Sequence, residues 1–219
     1  MNIDSLAVSP AIADRLKTAG IEKLNPVQEK AVSAGVIDGK TVLVCSPTAS
    51  GKTLIAELAI AKCVEREMMA VYIVPLVALA SEKSKSFSKR YDGVWRVGLF
   101  VGKSEEKSER INHVNVMVCT AEKLDSLLRH NPSWIGRVGV VIADEVHLLN
   151  DPSRGPTLEV VLTLLKFLRK DIQIVALSAT IGNAEELAKW MEAKLVKDDW
   201  RPVKLEKGIA LNGRVEFFE

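Results

Sequence analysis

The sequence predicts an α/β fold of the doubly wound type, in which helices cover both faces of a mostly parallel β-sheet. Short apolar runs rich in Val and Ile alternate along the chain with amphipathic segments of helix length, which is the pattern of α/β folds. The runs are apolar at successive positions, as is typical of strands buried on both faces of a parallel sheet. Ligands of such folds bind beyond the carboxyl ends of the strands, so function is expected in the loops that follow them.

Six of these runs have strand length, and we expect a sheet of about seven strands. The predicted strands are residues 42–45, 71–74, 97–101, 114–119, 138–143 and 172–177. Among the helical segments, one begins with Asn25 and Pro26, and another follows Asn183 with acids in its first turn, both of which are start signals. Residues 156–170 are amphipathic, with basic residues near their end. Residues 200–219 show no helical pattern, and we expect them to be either a strand-rich tail or the first piece of a further unit.

The composition is that of a soluble globular protein. Of the 219 residues, 47% are hydrophobic and 26% are charged, which excludes a disordered chain, a collagen-like repeat and a disulfide scaffold. The net charge of +2 does not by itself indicate a nucleic-acid partner. The sequence has no membrane-spanning stretch and no signal-peptide pattern, so we expect a soluble, cytoplasmic protein. Cys45, Cys63 and Cys119 lack metal-site spacing, and Cys45 and Cys119, which end apolar runs, are predicted to be small hydrophobic thiols.

A loop with the sequence SPTASGKT, residues 46–53, follows the first predicted strand and leads into a helical segment. This is the setting of a phosphate-binding loop, in which Gly51 admits a phosphate, Lys52 reaches the β- and γ-phosphates and Thr53 binds Mg²⁺. The pattern G-x-x-x-x-G-K-S/T is incomplete because Ser46 replaces its first glycine, and an ordinary strand-to-helix turn is the alternative interpretation. The predicted nucleotide-binding residues of the loop are Pro47, Thr48, Ala49, Ser50, Gly51, Lys52 and Thr53.

Two adjacent acids, Asp144 and Glu145, follow the buried run at residues 138–143. Carboxylates at the end of a buried strand are unfavourable unless they meet a cation. Asp144 is therefore predicted to hold Mg²⁺ between the β- and γ-phosphates, and Glu145 to orient or deprotonate the attacking water. The alternative is a solvated loop whose acids lie at a helix N-terminus. His147 has no second histidine four residues away, which disfavours a zinc site.

Three further features give weaker signals. The SAT sequence from Ser178 to Thr180 follows another buried run, and taken alone it is typical of a helix-capping turn. Residues 81–90 have an excess of lysine and arginine that would suit a phosphate backbone, but a solvated helix face is the favoured interpretation. Trp190 lies in a helical segment beside apolar neighbours and is predicted to belong to the core.

SPTASGKT, DEVH and SAT occur in the order of motifs I, II and III of the superfamily 2 helicases of the DExH type, and the chain resembles that family. The resemblance is closest to the archaeal fork-repair DNA helicases and their relatives, the superkiller-type RNA helicases and the helicase part of polymerase theta. The further matching stretches are LNPVQEKAV (24–32), YIVPLVALASEK (72–83), TAEKLDSLLR (120–129), NPSWI (131–135), HLLND with RGPTLE (147–159) and DWRPVKL (199–205). Together they cover essentially the whole chain.

The resemblance implies a RecA-like, P-loop NTPase fold with ATP and Mg²⁺ as cofactors. Residues 1–199 would form the first motor domain of an ATP-dependent DNA helicase, and residues 200–219 would begin the connection to a second RecA-like domain. ATP hydrolysis would drive movement along a single strand and unwinding of a duplex, in fork repair or recombination. The implied partners are single-stranded or forked DNA, with RNA left open, and that second domain. We expect a monomer with no membrane partner.

The resemblance also implies roles for matched residues. Lys52, Asp144 and Glu145 would be catalytic, Thr53 and Asp144 would bind Mg²⁺, and Gln28 would read the adenine edge. The residues implied to contact nucleic acid are Pro75, Leu76, Ala78, Thr120, Glu122 and Arg154. His147, Ser178 and Thr180 would couple the nucleotide to the nucleic-acid surface. For residues 75–78, a strand exit followed by a helix start is the alternative.

Two other functions stay open on the sequence alone, namely an RNA helicase of the superkiller type and a non-motor nucleotide-binding switch. Single strands would stimulate the ATPase of a motor but not that of a switch. In the family, a Q-x-x-G-R-x-G-R stretch of the second domain supplies an arginine finger, and this stretch is absent here; the G-R-x-G at residues 136–139 lacks the glutamine and is interpreted as a turn. We expect the chain to be a fragment that binds nucleotide, hydrolyses ATP very slowly and unwinds nothing.

Overall fold

A sheet of seven parallel strands forms the centre of this computed structural model. The structure describes residues 1–102, 108–129, 133–203, 206–211 and 214–218. The strands are β1 (Val42–Cys45), β2 (Met69–Val74), β3 (Val97–Phe100), β4 (Val116–Thr120), β5 (Val138–Ala143), β6 (Gln173–Ser178) and β7 (Lys194–Lys197). Their spatial order is β3-β4-β2-β5-β6-β1-β7, and neighbouring strands pair in parallel. The predicted doubly wound α/β fold is confirmed.

The helices lie on both faces of this sheet. They are α1 (Pro10–Thr18), α2 (Pro26–Ser33), α3 (Lys52–Glu65), α4 (Val77–Arg90), α5 (Ser108–Asn112), α6 (Ala121–Arg129), α7 (Gly155–Leu168) and α8 (Ala184–Met191). Helices α1 to α4 contribute to one hydrophobic core, and α6 to α8 contribute to the other. Successive strand residues alternate between the two cores, so Val42 and Val44 pack on one face while Leu43 and Cys45 pack on the other. Because of this alternation, both faces of the sheet are apolar.

The predicted strands agree with the structure to within two residues at each end, and Asn25 and Asn183 are the N-caps of α2 and α8 as expected. The seventh strand, β7, was not identified from the sequence. It is an edge strand that pairs only with β1, and both of its terminal lysines are exposed. An edge strand with solvated ends lacks the continuous apolar run that marks the buried strands.

The preferred interpretation of residues 81–90 as a solvated helix face is wrong for two of the basic residues, Lys83 and Arg90. Lys85 and Lys89 are exposed, but Arg90 donates to both carboxylate oxygens of the buried Glu57, each at 2.7 Å. Tyr91 donates to the same carboxylate at 2.8 Å. A buried carboxylate needs such partners, because an unpaired charge in the core is strongly unfavourable. Lys83 also points inward, since it is half-buried and its ammonium donates to Thr53 Oγ1 at 2.8 Å.

The prediction that Trp190 belongs to the core is also wrong, since 39% of its surface is exposed. The buried residues of α8 are Ala184, Ala188 and Met191, which follow the spacing of one helix face. Trp190 lies next to that face in sequence but points away from it. Cys45 and Cys119 are buried free thiols, as predicted, and Cys63 is buried as well, which raises the pKa of Cys63 to about 11.

Residues after β7 form a separate antiparallel pair, β8 (Lys207–Leu211) with β9 (Arg214–Phe218), so the expectation of a strand-rich tail is confirmed. The predicted domain boundary at residue 199 stays a prediction. Of the stretches that carried the resemblance, residues 131–132 of NPSWI and 204–205 of DWRPVKL lie outside the described residues, as do 212–213 and 219 of the predicted connection. In the described part of the chain, no helix is both long and apolar enough to cross a membrane.

Candidate nucleotide-binding site

The SPTASGKT loop runs from the carboxyl end of β1 to the first turn of α3, where a phosphate-binding loop is expected. Gly51 is the N-cap of α3 and has a φ of 81°, a left-handed conformation that favours glycine. A Cβ atom on Gly51 would also collide with the side-chain amide of Gln28 and touch that of Asn25. Both the backbone conformation and the close approach of α2 therefore require glycine at this position.

Serine fits in place of the first glycine of the phosphate-loop pattern because its side chain has a partner within the loop. The hydroxyls of Ser46 and Ser50 are buried and lie 2.7 Å apart. The Ser46 N–H donates to the backbone carbonyl of Ser178 at 3.2 Å. This last bond joins the start of the loop to the end of β6, so the structure brings two of the three predicted motifs into direct contact.

The Lys52 ammonium lies under the loop and donates to the carbonyls of Ser46 and Pro47, both at 2.8 Å. Burial lowers the pKa of Lys52, while the negative charges of Glu145 and Asp144 oppose that shift. A phosphate beside the ammonium would act in the same direction as these carboxylates and favour the charged form. Lys52 is thus a half-buried cation that shares its cavity with the two acidic residues.

Asp144 and Glu145 follow β5 directly, at the same edge of the sheet. Asp144 accepts a hydrogen bond from the Tyr72 hydroxyl at 2.7 Å through Oδ2, and from the Glu145 N–H at 3.0 Å through Oδ1. Glu145 has a φ of 55°, and its Oε2 lies 3.4 Å from Nδ1 of His147. A left-handed non-glycine residue costs about 1–3 kcal/mol and is typical of functional sites.

One cavity joins the loop to these acids. Its lining residues are Thr48, Ala49, Gly51, Lys52, Thr53, Val74, Leu79, Glu82, Lys83, Asp144 and Glu145. The Thr53 hydroxyl and the Asp144 carboxylate are hard oxygen donors of the kind that Mg²⁺ prefers, and Mg²⁺ typically needs only one or two protein ligands beside a phosphate. A cation fits against this oxygen, because the Lys83 ammonium lies 2.8 Å from Thr53 Oγ1. The residues present therefore fit a Mg²⁺-bound nucleotide.

Gln28 is buried, with 5% of its surface exposed, and both ends of its amide are engaged. Its Oε1 accepts from the Asn25 N–H at 2.9 Å, and its Nε2 donates to the Gly51 carbonyl at 3.0 Å. Asn25 donates to the Ser50 carbonyl at 2.8 Å. These bonds fasten the start of α2 to the phosphate loop. The adenine-reading role of Gln28 stays a prediction.

A second cleft lies next to the acids and contains three of the residues predicted to contact nucleic acid. Pro75, Glu122 and Arg154 line it together with Asp144 and Glu145. The other predicted contact residues lie at neighbouring strand ends: Leu76 and Ala78 are exposed at the start of α4, and Thr120 is buried at the end of β4 with its hydroxyl 3.4 Å from the Lys123 N–H. Thr180 is exposed after β6. Their roles toward nucleic acid stay predictions.

Sequence reasoning missed two side chains of the site, Tyr72 and Lys83. Tyr72 is a polar residue within the apolar run of β2, and a buried hydroxyl that needs a partner was a usable signal. Lys83 carried no comparable signal, because a run of lysines does not reveal which of them turns inward. Its position depends on the packing of α4 beside α3.

We predict that Tyr72→Phe weakens the Mg²⁺-dependent part of nucleotide binding. Burial and the adjacent Asp144 raise the pKa of Tyr72 well above its usual value, so the hydroxyl keeps its proton and holds the carboxylate. Loss of such a supporting hydrogen bond typically costs about 10–100-fold in metal affinity. Calorimetric titration of ADP at several Mg²⁺ concentrations measures this loss of metal affinity. Tyr91→Phe is the matched control, because it removes a buried hydroxyl bonded to Glu57 instead; an equal Mg²⁺ requirement in both variants would contradict the assignment.

Comparison with known families gives one match over most of the chain. The family model described as DEAD/DEAH box helicase matches residues 25–187. Among solved structures, the chain is similar to the crystal structure of the DUF1998 helicase MrfA bound to DNA, with a TM-score of 0.74 and 22% identity over 88% of this chain and 30% of that one. At this identity the structural likeness shows the fold alone.

Three similar curated proteins carry the name ATP-dependent DNA helicase Hel308. The protein of Pyrobaculum calidifontis is 46% identical over 99% of this chain, that of Methanocella arvoryzae is 47% identical over 99%, and that of Pyrococcus abyssi is 48% identical over 98%. In each case the matched region is 30% of the relative. The chain thus spans about a third of the length of these relatives.

Proposed function

Because the chain belongs to the DEAD/DEAH box helicase family, we propose that it is the ATP-binding first motor domain of an ATP-dependent DNA helicase. The observation that carries this proposal is the single cavity that collects Lys52, Thr53, Asp144 and Glu145 at the carboxyl ends of β1 and β5. DNA is favoured over RNA as the nucleic acid because the similar curated proteins are named DNA helicases.

In this proposal the phosphate loop binds the β- and γ-phosphates through its backbone N–H groups, the N-terminus of α3 and Lys52. Thr53 and Asp144 would hold Mg²⁺, which neutralises charge on the phosphates when it is bound. Glu145 orients the attacking water and accepts its proton, the water oxygen bonds to the γ-phosphorus, and the bond to the β–γ bridging oxygen breaks. The products are ADP and inorganic phosphate.

Coupling to a nucleic acid would begin at two contacts of this site. His147 faces the Glu145 carboxylate, and the Ser178 carbonyl holds the start of the phosphate loop. The cleft that contains Pro75, Glu122 and Arg154 shares both acids with the nucleotide cavity. A change at the γ-phosphate would therefore reach the proposed strand-binding surface through Asp144 and Glu145, which line both cavities.

The remaining parts of the proposal rest on the resemblance and on the relatives. They are Mg²⁺ as the metal, single-stranded or forked DNA as the partner, a second RecA-like domain in the same full-length chain, a monomeric state and a place in the cytoplasm. ATPase assays of the full-length protein with DNA and RNA oligomers of matched sequence separate the candidates. Stimulation by DNA supports the proposal, stimulation by RNA alone supports an RNA helicase, and no stimulation supports a nucleotide switch.

We predict that Lys52→Ala weakens binding of Mg·ATP by about 10–100-fold, the effect of losing hydrogen bonds between charged groups. Calorimetry on the 219-residue chain measures the affinity, and circular dichroism checks the fold. Lys62→Ala is the matched control, because Lys62 lies on the same helix and pairs with Glu65. Unchanged affinity in Lys52→Ala would show that the loop does not bind the phosphates.

A further inference from the structure

Lys83 occupies a position in the nucleotide cavity that the other two lysines of α4, Lys85 and Lys89, do not share. Its ammonium donates to Thr53 Oγ1 at 2.8 Å and lies 5.9 Å from the centre of the Tyr72 ring. The side chain is half-buried, whereas Lys85 and Lys89 on the same helix are exposed. Lys83 thus brings a positive charge from α4 to the hydroxyl at the start of α3.

The oxygen that Lys83 contacts is the one that the proposed function assigns to Mg²⁺. A threonine hydroxyl offers two lone pairs, one of which the ammonium uses. Mg²⁺ would bind the same atom at about 2.1 Å, which would put the two cations within about 5 Å of each other. Charges of the same sign at such a distance in a partly desolvated site repel strongly. Simultaneous occupation of this oxygen by both cations is therefore unfavourable.

We propose that the Lys83 ammonium and Mg²⁺ are alternative cations at Thr53 Oγ1, so that Lys83 must leave this oxygen before the metal completes the nucleotide site. The inference rests on the proposed function. Asp144 belongs to the same arrangement, because the Tyr72 hydroxyl holds its carboxylate while the Lys83 ammonium lies near the Tyr72 ring. Lys83 is a positioning residue in this scheme, since it competes with the metal for Thr53 Oγ1 and supplies a positive charge to the cavity while the metal is absent.

Because Lys83 lies on α4, replacement of its ammonium by Mg²⁺ at Thr53 Oγ1 would affect that helix. Helix α4 begins at Val77, directly after Pro75 and Leu76 of the proposed strand-binding surface. Lys83 lies six residues further along the same helix, and its bond to Thr53 ties α4 to α3. Release of this bond when Mg²⁺ binds would loosen α4 from the nucleotide site. The exchange would therefore transmit metal binding to the helix that carries the proposed strand contacts.

The test is the Mg²⁺ requirement of ADP binding to the 219-residue chain, with Lys83→Met as the variant because it keeps the length of the side chain and removes the charge. We expect half-maximal Mg²⁺-dependent binding at about 3–10-fold less Mg²⁺ than in the unsubstituted protein, the effect of removing one competing hydrogen bond. Binding of ADP in EDTA is expected to weaken in the same variant, since one cation of the cavity is lost. If Lys83 had a purely structural role, its replacement would weaken ADP binding both in EDTA and in the presence of Mg²⁺, and the Mg²⁺ requirement would not fall.

Lys85→Met is the matched control, since it removes an exposed charge from the same helix and should leave the Mg²⁺ requirement unchanged. An equal or higher Mg²⁺ requirement in Lys83→Met than in this control would overturn the inference. If Lys83→Met does not fold, Lys83→Gln carries the same expectation. Failure of the unsubstituted chain to bind ADP at any Mg²⁺ concentration would instead overturn the proposed function, so the two failures are distinguishable.

Discussion

Glu145→Gln in the full-length protein is expected to lower ATP turnover by about 10²–10⁴-fold, the usual effect of removing a general base, while ATP binding persists. Glu145 lines the nucleotide cavity beside Lys52 and Thr53, and its backbone is held in a left-handed conformation at the end of β5. Glutamine preserves the size and the hydrogen-bonding reach of the side chain but cannot accept a proton as a carboxylate does. This variant should therefore still bind ATP but hydrolyse it much more slowly.

The measurement pairs steady-state ATPase assays with calorimetric affinity for Mg·ATP. Glu82→Gln is the matched control, because Glu82 lines the same cavity from α4 but is exposed. We expect this control to keep its turnover. Turnover close to that of the unsubstituted protein in Glu145→Gln would assign the activation of water to another residue. Loss of ATP affinity in step with turnover would indicate that Glu145 acts in binding rather than in hydrolysis.

The buried strands of the sheet could be predicted because each is enclosed on both faces. Residues 138–143, for example, are apolar at nearly every position, and their partners on either side are equally buried. The edge strand β7 could not be predicted in this way. It has a neighbour on one side only, and its pattern of exposed and buried residues is too short to distinguish a strand from the end of a helix.

In the candidate site, too, residues that belong to a local sequence pattern were predictable, whereas contacts that depend on the fold were not. Lys52, Thr53, Asp144 and Glu145 were predictable because each follows a strand within a local pattern, and parallel strands bring their carboxyl ends to one edge. The contact between the hydroxyls of Ser46 and Ser50 was not predictable, since it depends on the fold of the loop. Contacts between elements distant in sequence, such as Tyr72 with Asp144, depend on strand order and side-chain direction, which a single sequence does not specify.

The 219-residue chain alone is expected to bind Mg·ATP and to hydrolyse it about 10³–10⁵-fold more slowly than the full-length protein stimulated by DNA. Phosphoryl transfer of this kind gains that factor from an arginine finger that stabilises charge on the γ-phosphate in the transition state. In the described part of the chain, the residues that line the nucleotide cavity include two lysines and no arginine. The second RecA-like domain of the proposal would supply the missing cation.

Single-turnover assays of the chain and of the full-length protein, at equal saturation with Mg·ATP, measure this difference. Burial lowers the pKa of Lys52, and the positive charge of Arg201 makes a smaller contribution in the same direction, so Arg201 is an arginine to test within the chain. Since the Arg201 side chain is exposed and absent from the cavity lining, Arg201→Ala is expected to leave the slow turnover of the chain unchanged. Rapid hydrolysis by the chain alone that is lost in Arg201→Ala would place the finger within these residues. Rapid hydrolysis that survives this substitution would contradict the need for a second domain altogether.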